Sequence, residues 1–108
     1  MKGDRLGEFE EFTLLALCAL DAPLYAVPVQ RFLEAQTDRD VSMGAVYAAL
    51  GRLEAKGFLR SSLGPASGHR GGKPKRVYDV TASGFRTARS LHHARVRIWQ
   101  LIGEGRRS

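Results

Sequence analysis

Apolar residues recur along this chain with two periods, and the switch between them outlines the fold. Phe9, Phe12, Ala16, Leu17 and Leu20 repeat at helical spacing, and Leu14, Leu15 and Cys18 carry the apolar surface almost all round. That pattern predicts a buried first helix over about residues 7–20, ended by Asp21-Ala22-Pro23. A second helix is expected over 25–36, with Tyr25, Val29, Phe32 and Leu33 inward and Pro28 tolerable only near its first turn. The polar run from Thr37 to Asp40 then leads to Val41. Ser42 is a good N-cap and Gly57 a natural C-cap for a third helix over 42–56, with Phe58 placed for the accompanying apolar contact. The period then falls to two. Residues 58–63 and 76–81 read as strands joined by a glycine-rich turn, with Tyr78 and Val80 facing the core. Thr81 caps a last helix over about 82–102, which Gly103 and Gly105 end.

On a helical wheel of the third helix, Val46, Ala49, Leu50 and Leu53 form a core face. Opposite them Gly44, Ala48, Gly51 and Ala55 make a stripe almost without side chains, flanked by Tyr47 on one side and by Ala45, Arg52 and Lys56 on the other. A glycine inside a helix costs about 1 kcal/mol relative to alanine, and a bare stripe compensates by letting the backbone approach a partner closely. A DNA major groove fits that need: Ala45 or Ala48 can meet a thymine methyl, Tyr47, Arg52 and Lys56 can reach phosphates or guanine edges, and backbone N–H groups at Ser42 to Gly44 can hold a phosphate. A solvated helix-favouring face and a small-residue helix contact are the competing readings of the same stripe.

Charge sharpens the picture. The chain has 108 residues and a net charge of +6. Residues 1–40 hold four bases and eight acids, a balance of −4, whereas residues 41–108 hold thirteen bases and three acids, a balance of +10. One part is therefore expected to meet a polyanion. Arg70, Lys73, Lys75 and Arg76, with Arg60, can straddle a minor groove or its bordering phosphates, while glycines let the tip follow the backbone. A nucleotide-binding phosphate loop is excluded: Ser67 stands where that pattern needs Gly, Pro74 replaces its Ser or Thr, and a strand follows in place of a helix.

On the last helix, apolar residues cover more than half the circumference, including Phe85, Leu91, Val96, Ile98, Trp99 and Ile102. An arc that wide needs a second covering surface, and a second copy of the chain supplies it. Arg95 falls inside the arc, so it is expected to meet a carboxylate among Glu8, Glu10 and Glu11. The expected dimer interface comprises Phe9, Phe12, Leu91, Arg95, Ile98, Trp99 and Ile102, with the last helix against the partner's first. Trp99, Phe85 and Val96 are candidates for a cleft admitting a small aromatic or apolar effector.

Other chemistry finds little support. One cysteine excludes an internal disulfide and suits a reducing compartment. His92 and His93 are adjacent and diverge by about 100° on a helix, which is wrong for joint metal binding. No nucleophile–base–acid set is visible, no secretory signal is convincing, and no apolar run approaches the ~20 residues of a membrane span. A cytoplasmic, nucleoid-associated protein without enzymatic activity, cofactor or metal is expected.

Leu6-Gly7-Glu8-Phe9-Glu10, Val41-Ser42-Met43-Gly44-Ala45-Val46-Tyr47, Arg52-Leu53-Glu54, Lys56-Gly57-Phe58-Leu59, Gly71-Gly72-Lys73 and Tyr78-Asp79-Val80-Thr81-Ala82-Ser83-Gly84 stand in the order and spacing of a known family. In these segments the chain resembles the PadR family of transcriptional regulators, short subfamily. The resemblance implies a mainly α (α+β) winged helix-turn-helix with a two-stranded wing, residues 1–81, and a C-terminal dimerisation helix and tail, residues 82–108. It also implies a dimer on double-stranded DNA at a palindromic operator, usually as a repressor, with Ser42, Ala45, Tyr47 and Arg52 near the DNA beside the basic wing. A winged helix serving protein–protein contact without specific DNA binding is the alternative.

Overall fold

In the computed structural model, which describes residues 5–64 and 74–107, the chain runs α1 (Glu8–Ala19), α2 (Ala26–Thr37), α3 (Met43–Ala55), β1 (Leu59–Leu63), β2 (Arg76–Val80), α4 (Ala82–Leu101) and α5 (Glu104–Arg107). The two-residue spacing of the arms becomes an antiparallel pair in the register Leu59 to Val80, Ser61 to Tyr78 and Leu63 to Arg76. The second strand has a further, unexpected neighbour. Leu24, in the link between α1 and α2, bridges Tyr78, whose N–H donates to the Leu24 carbonyl at 3.0 Å. Nothing in the local pattern at Leu24 marks a strand; the hydrogen-bonding edge of β2 creates it.

Local chemistry sets the helix ends. Ser42 Oγ accepts from the Ala45 N–H at 3.0 Å and starts α3. At the other end Gly57 adopts φ +84°, a left-handed conformation that favours glycine. The Gly57 and Phe58 N–H groups donate to the carbonyls of Glu54 and Leu53, both at 3.0 Å, and Phe58 is buried beside them. Thr81 joins this corner to α4: its hydroxyl accepts from the Gly84 N–H at 3.0 Å and donates to the Gly57 carbonyl at 2.8 Å. Pro28 falls in the first turn of α2, where a missing N–H leaves no helical bond unmade. That helix begins at Ala26, one residue later than the periodicity suggests, so Ala26 turns inward while Tyr25 and Phe32 stay half-buried.

The core lies where α1, α2 and α3 cross. Leu14, Leu17, Val29, Leu33, Val46, Leu50 and Leu53 fill it, and Phe58, Leu59 and Tyr78 close it on the wing side. α1 packs against α2, α3 and α4 of its own chain. That three-sided packing covers most of its apolar residues and leaves Leu15 at 41 % exposure. Arg95 meets the expected acidic cluster at Glu11, within one chain.

Along α4 only Gly84 and Ala88 are buried. Gly84 is held against the sheet so closely that an added Cβ would lie 2.3 Å from the Phe58 carbonyl oxygen. Beyond Leu91 the helix leaves Ile98 at 64 % exposure, Trp99 at 54 % and Leu101 at 84 %. The chain then turns once more, because the Gly103 carbonyl accepts from the Arg106 and Arg107 N–H groups at 2.9 and 3.2 Å. This short α5 stands where glycine-rich sequence suggested a plain tail. No helix among the described residues is long and apolar enough to cross a membrane.

Candidate nucleic-acid interface

The wheel of α3 is realised in three dimensions. Val46, Ala49, Leu50 and Leu53 are buried, and Gly44, Ala48, Gly51 and Ala55 are exposed. A Cβ built on Gly51 meets nothing within 4 Å, and one on Gly44 touches only Ser42 Oγ at 4.0 Å. Backbone of α3 is thus bare to solvent along this stripe, with Ala45 and the half-exposed Tyr47 beside it.

The turn into α3 is pinned from α2. Gln30 Nε2 donates to the Val41 carbonyl at 2.7 Å, and Glu34 Oε2 accepts from the Val41 N–H at 3.0 Å. Asp38, left-handed at φ 55°, ends α2 ahead of that turn. These side chains fix how the N-terminus of α3 leaves the body. In sequence the segment reads as a polar loop, and no short-range pattern reveals a pairing eleven residues apart.

Two arginines stand beside the stripe, one held directly by a carboxylate and the other through a serine hydroxyl. On one side Arg52 Nε donates to Glu10 Oε2 at 2.6 Å. Lys56 Nζ donates to Glu10 Oε1 and to the Arg5 carbonyl, each at 2.6 Å. Burial by itself would push the Glu10 carboxyl up, but hydrogen bonds and charge from Lys56 and Arg52 outweigh it and hold the group below the ordinary carboxylate value. Lys56, a candidate for phosphates or guanine edges, has its ammonium engaged by Glu10 and the Arg5 carbonyl, with 19 % side-chain exposure. Arg52 keeps 52 %. On the other side Arg76 Nη1 donates to Ser61 Oγ at 3.0 Å, and that hydroxyl donates to Glu54 at 2.9 Å. The C-terminal turn of α3 is thereby linked to the base of the wing. Lys75 lies 5.6 Å over the Tyr25 ring, and with Arg31, Tyr47 and Arg76 lines a cleft of about 540 Å³ between α2, α3 and the wing. Arg70 and Lys73, assigned to the wing tip, lie outside the described residues.

The residues assigned to a dimer surface divide. Phe9 and Phe12 pack against their own core, and their open edges line a second cleft of about 540 Å³ with Leu33 and Val41. Leu91 and Ile102 are half-buried, and Ile98 and Trp99 are open. The effector trio does not assemble within one chain. Fourteen residues of one helix separate Phe85 from Trp99, about 21 Å along its axis. The Arg107 guanidinium also stands 5.6 Å over the Trp99 ring. Among the described residues no group of three His, Cys, Asp or Glu could hold a metal ion.

The sequence profile of the Transcriptional regulator PadR-like family matches residues 14–90, more than two-thirds of the chain and all of α2, α3 and the wing strands. The chain belongs to the PadR-like family. Solved structures agree on the fold. A PadR-like transcription factor from Bacteroides fragilis superposes with a TM-score of 0.69 at 21 % identity, covering 85 % of this chain and 84 % of that one. A PadR family transcription regulator from Clostridium difficile R20291 gives 0.69 at 20 % identity, with 88 % and 94 % covered. RosR of H. salinarum gives 0.70 at 20 % identity, with 94 % and 84 % covered. Among proteins of curated function none matches the sequence. Membership makes this PadR-like chain a transcription regulator built on a DNA-binding winged helix, in a family of regulators and not of enzymes.

Proposed function

We propose that the chain acts as a homodimeric repressor, two copies placing α3 in successive major grooves of a palindromic operator while the wings grip the flanking backbone. The observation that carries this reading is the stripe from Gly44 to Ala55. It is exposed, has open space above its glycines, and is flanked by Arg52 and Arg76. A solvated face needs no glycine there, since alanine would be the better helix former. Ser42, Gly44, Ala45, Tyr47, Ala48 and Arg52 are the proposed groove contacts, with Arg70, Lys73, Lys75 and Arg76 on phosphates. The helix reads; the wing holds.

Exposed Phe85, Ile98, Trp99 and Leu101 on α4 support self-association, since so much apolar surface on one helix calls for cover. A dyad through α4 makes the operator palindromic, with half-sites about 34 Å apart. Residues 1–81 then form the reading unit and 82–108 the dimerisation element. Repression follows from occupancy, because a dimer seated across a promoter blocks the same grooves to other proteins. A small aromatic effector can act only where two α4 helices cross and bring Phe85 of one copy toward Trp99 of the other. It must also displace Arg107. A cytoplasmic, nucleoid-associated location fits such a role.

The test is a binding-site selection from random duplexes with the purified chain, followed by fluorescence anisotropy on the selected and a scrambled duplex across a salt series. A palindromic consensus bound more tightly than the scrambled duplex at every salt is expected. Equal affinity for both refutes specific regulation and favours a protein-contact role for the winged helix.

A further inference from the structure

We infer that Glu10, on the first turn of α1, is a positioning residue for DNA recognition: it fixes the plane of the Arg52 guanidinium so that its terminal amino groups point off the flank of α3. The inference rests on the reading of α3 as the groove-entering helix.

Three observations carry it. Glu10 takes Arg52 through Nε alone, at 2.6 Å, so both Nη groups remain for an end-on bidentate contact with guanine O6 and N7 or with a phosphate. A guanidinium is planar, so fixing Nε fixes the direction of the fork. Second, Glu10 is 10 % exposed and belongs to α1, which is packed into the core, so the anchor cannot swing with the arginine. Third, Lys56 satisfies the other carboxylate oxygen at 2.6 Å. The trio keeps one net positive charge, and it resides on the more exposed member, Arg52. Lys56 thus neutralises the acid that would otherwise repel the DNA, and Glu10 supplies direction. A surface arginine on a free stem would lose rotamer freedom on binding; this one has already given up much of it.

The full-length chain decides the matter, with Kd measured on the selected operator and on a random duplex over a salt series. Glu10→Gln keeps the shape but removes the charge that holds Nε. Its operator-to-random affinity ratio is expected to fall about tenfold, the loss expected when one arginine fork is misaligned. Random-duplex affinity should hold or rise and the salt slope should steepen by up to about one unit, as Lys56 is released. In a double-mutant cycle, Arg52→Ala should cost the operator complex much less in the Glu10→Gln background than in the parent. Equal factors on both duplexes, or additive effects, would overturn the inference and leave Glu10 as a helix-seating residue. Should Glu10→Gln fail to fold, Glu10→Asp carries the test: it keeps the charge but draws the carboxylate back from Nε, and loss of the ratio at constant salt slope supports positioning while a full ratio refutes it. A parent chain that prefers no sequence would count against the DNA reading itself; a parent that discriminates beside a fully discriminating Glu10→Gln would count only against Glu10.

Discussion

Replacing Gly51 separates a helix face that merely meets water from one pressed against a partner. Gly51 lies mid-way along α3, and a Cβ there meets nothing within 4 Å, so neither Ala nor Gln clashes with the protein itself. Both are good helix formers, and each should stabilise the fold by about 0.5–1 kcal/mol relative to glycine. For a domain of this size that raises Tm by roughly 2–8 °C. The two variants diverge on DNA. If the backbone of α3 sits against base edges, one methyl is tolerated or mildly harmful. The Gln side chain has no room, and its displacement should weaken operator binding tenfold or more, equivalent to at least about 1.4 kcal/mol. Circular-dichroism melts and anisotropy titrations on the same preparations read both effects. A Gly51→Gln protein that melts higher and binds its operator as tightly as the parent would refute close docking of the stripe, because folding damage could not be invoked.

Gly84 gives the opposite result. An alanine Cβ would sit 2.3 Å from the Phe58 carbonyl oxygen and 2.9 Å from Val80 Cγ1, so Gly84→Ala should destabilise by about 1–3 kcal/mol despite its better helix propensity, visible as a lower urea midpoint. Glu10 should confer acid-sensitive stability. Its carboxyl titrates below the ordinary 4.5, so its contribution is complete above that pH and is lost as pH falls through the folded-state value. The urea-stability gap between the parent and Glu10→Gln should be steady above the ordinary carboxylate range and shrink as pH falls below 4.5; a gap that widens in acid contradicts this. Finally, Ile98→Asp combined with Leu101→Arg, at two open positions on α4, should yield monomers in sedimentation velocity with an unchanged far-ultraviolet spectrum. Persistent dimers would move the dyad away from this end of α4.

Much of the fold was legible because it depends on residues near one another. The caps Ser42, Gly57 and Thr81 and the wheel of α3 act over three to seven residues, and each is where the spacing predicts. What the pattern could not show depends on long-range geometry. The Leu24 bridge to Tyr78, the Gln30 and Glu34 clasp on Val41, and the Ser61 hydroxyl between Glu54 and Arg76 join segments whose approach is set by the whole core. Arg95 shows the boundary well. Its place inside an apolar arc signalled a carboxylate partner, and the sequence named the right cluster. Whether that cluster came from the same chain or another turned on the path of α4 over α1, about which periodicity is silent.

The charge split between the two parts of the chain takes on a different meaning once these contacts are known. A balance of −4 before residue 41 and +10 after it reads as one inert part and one that grips DNA. Yet the acids of the first turn of α1 reach into the basic part: Glu10 to Arg52 and Lys56, and Glu11 to Arg95. Glu8 meets Arg39, beside the turn into α3, at 3.8 Å, too long and too exposed to contribute much. Among the described residues Arg52, Lys56 and Arg95 are thus tied to two α1 carboxylates, and on the proposed reading the field facing DNA is weaker than the count of charges suggests. What α1 takes away in strength it returns in direction at Arg52. Specific binding gains from this exchange, because loosely held charge attracts every duplex alike while a fixed fork distinguishes among them. On the proposed reading the acids of α1 and the bare stripe of α3 belong to one device, in which the stripe allows approach and Glu10 aims the arginine beside it.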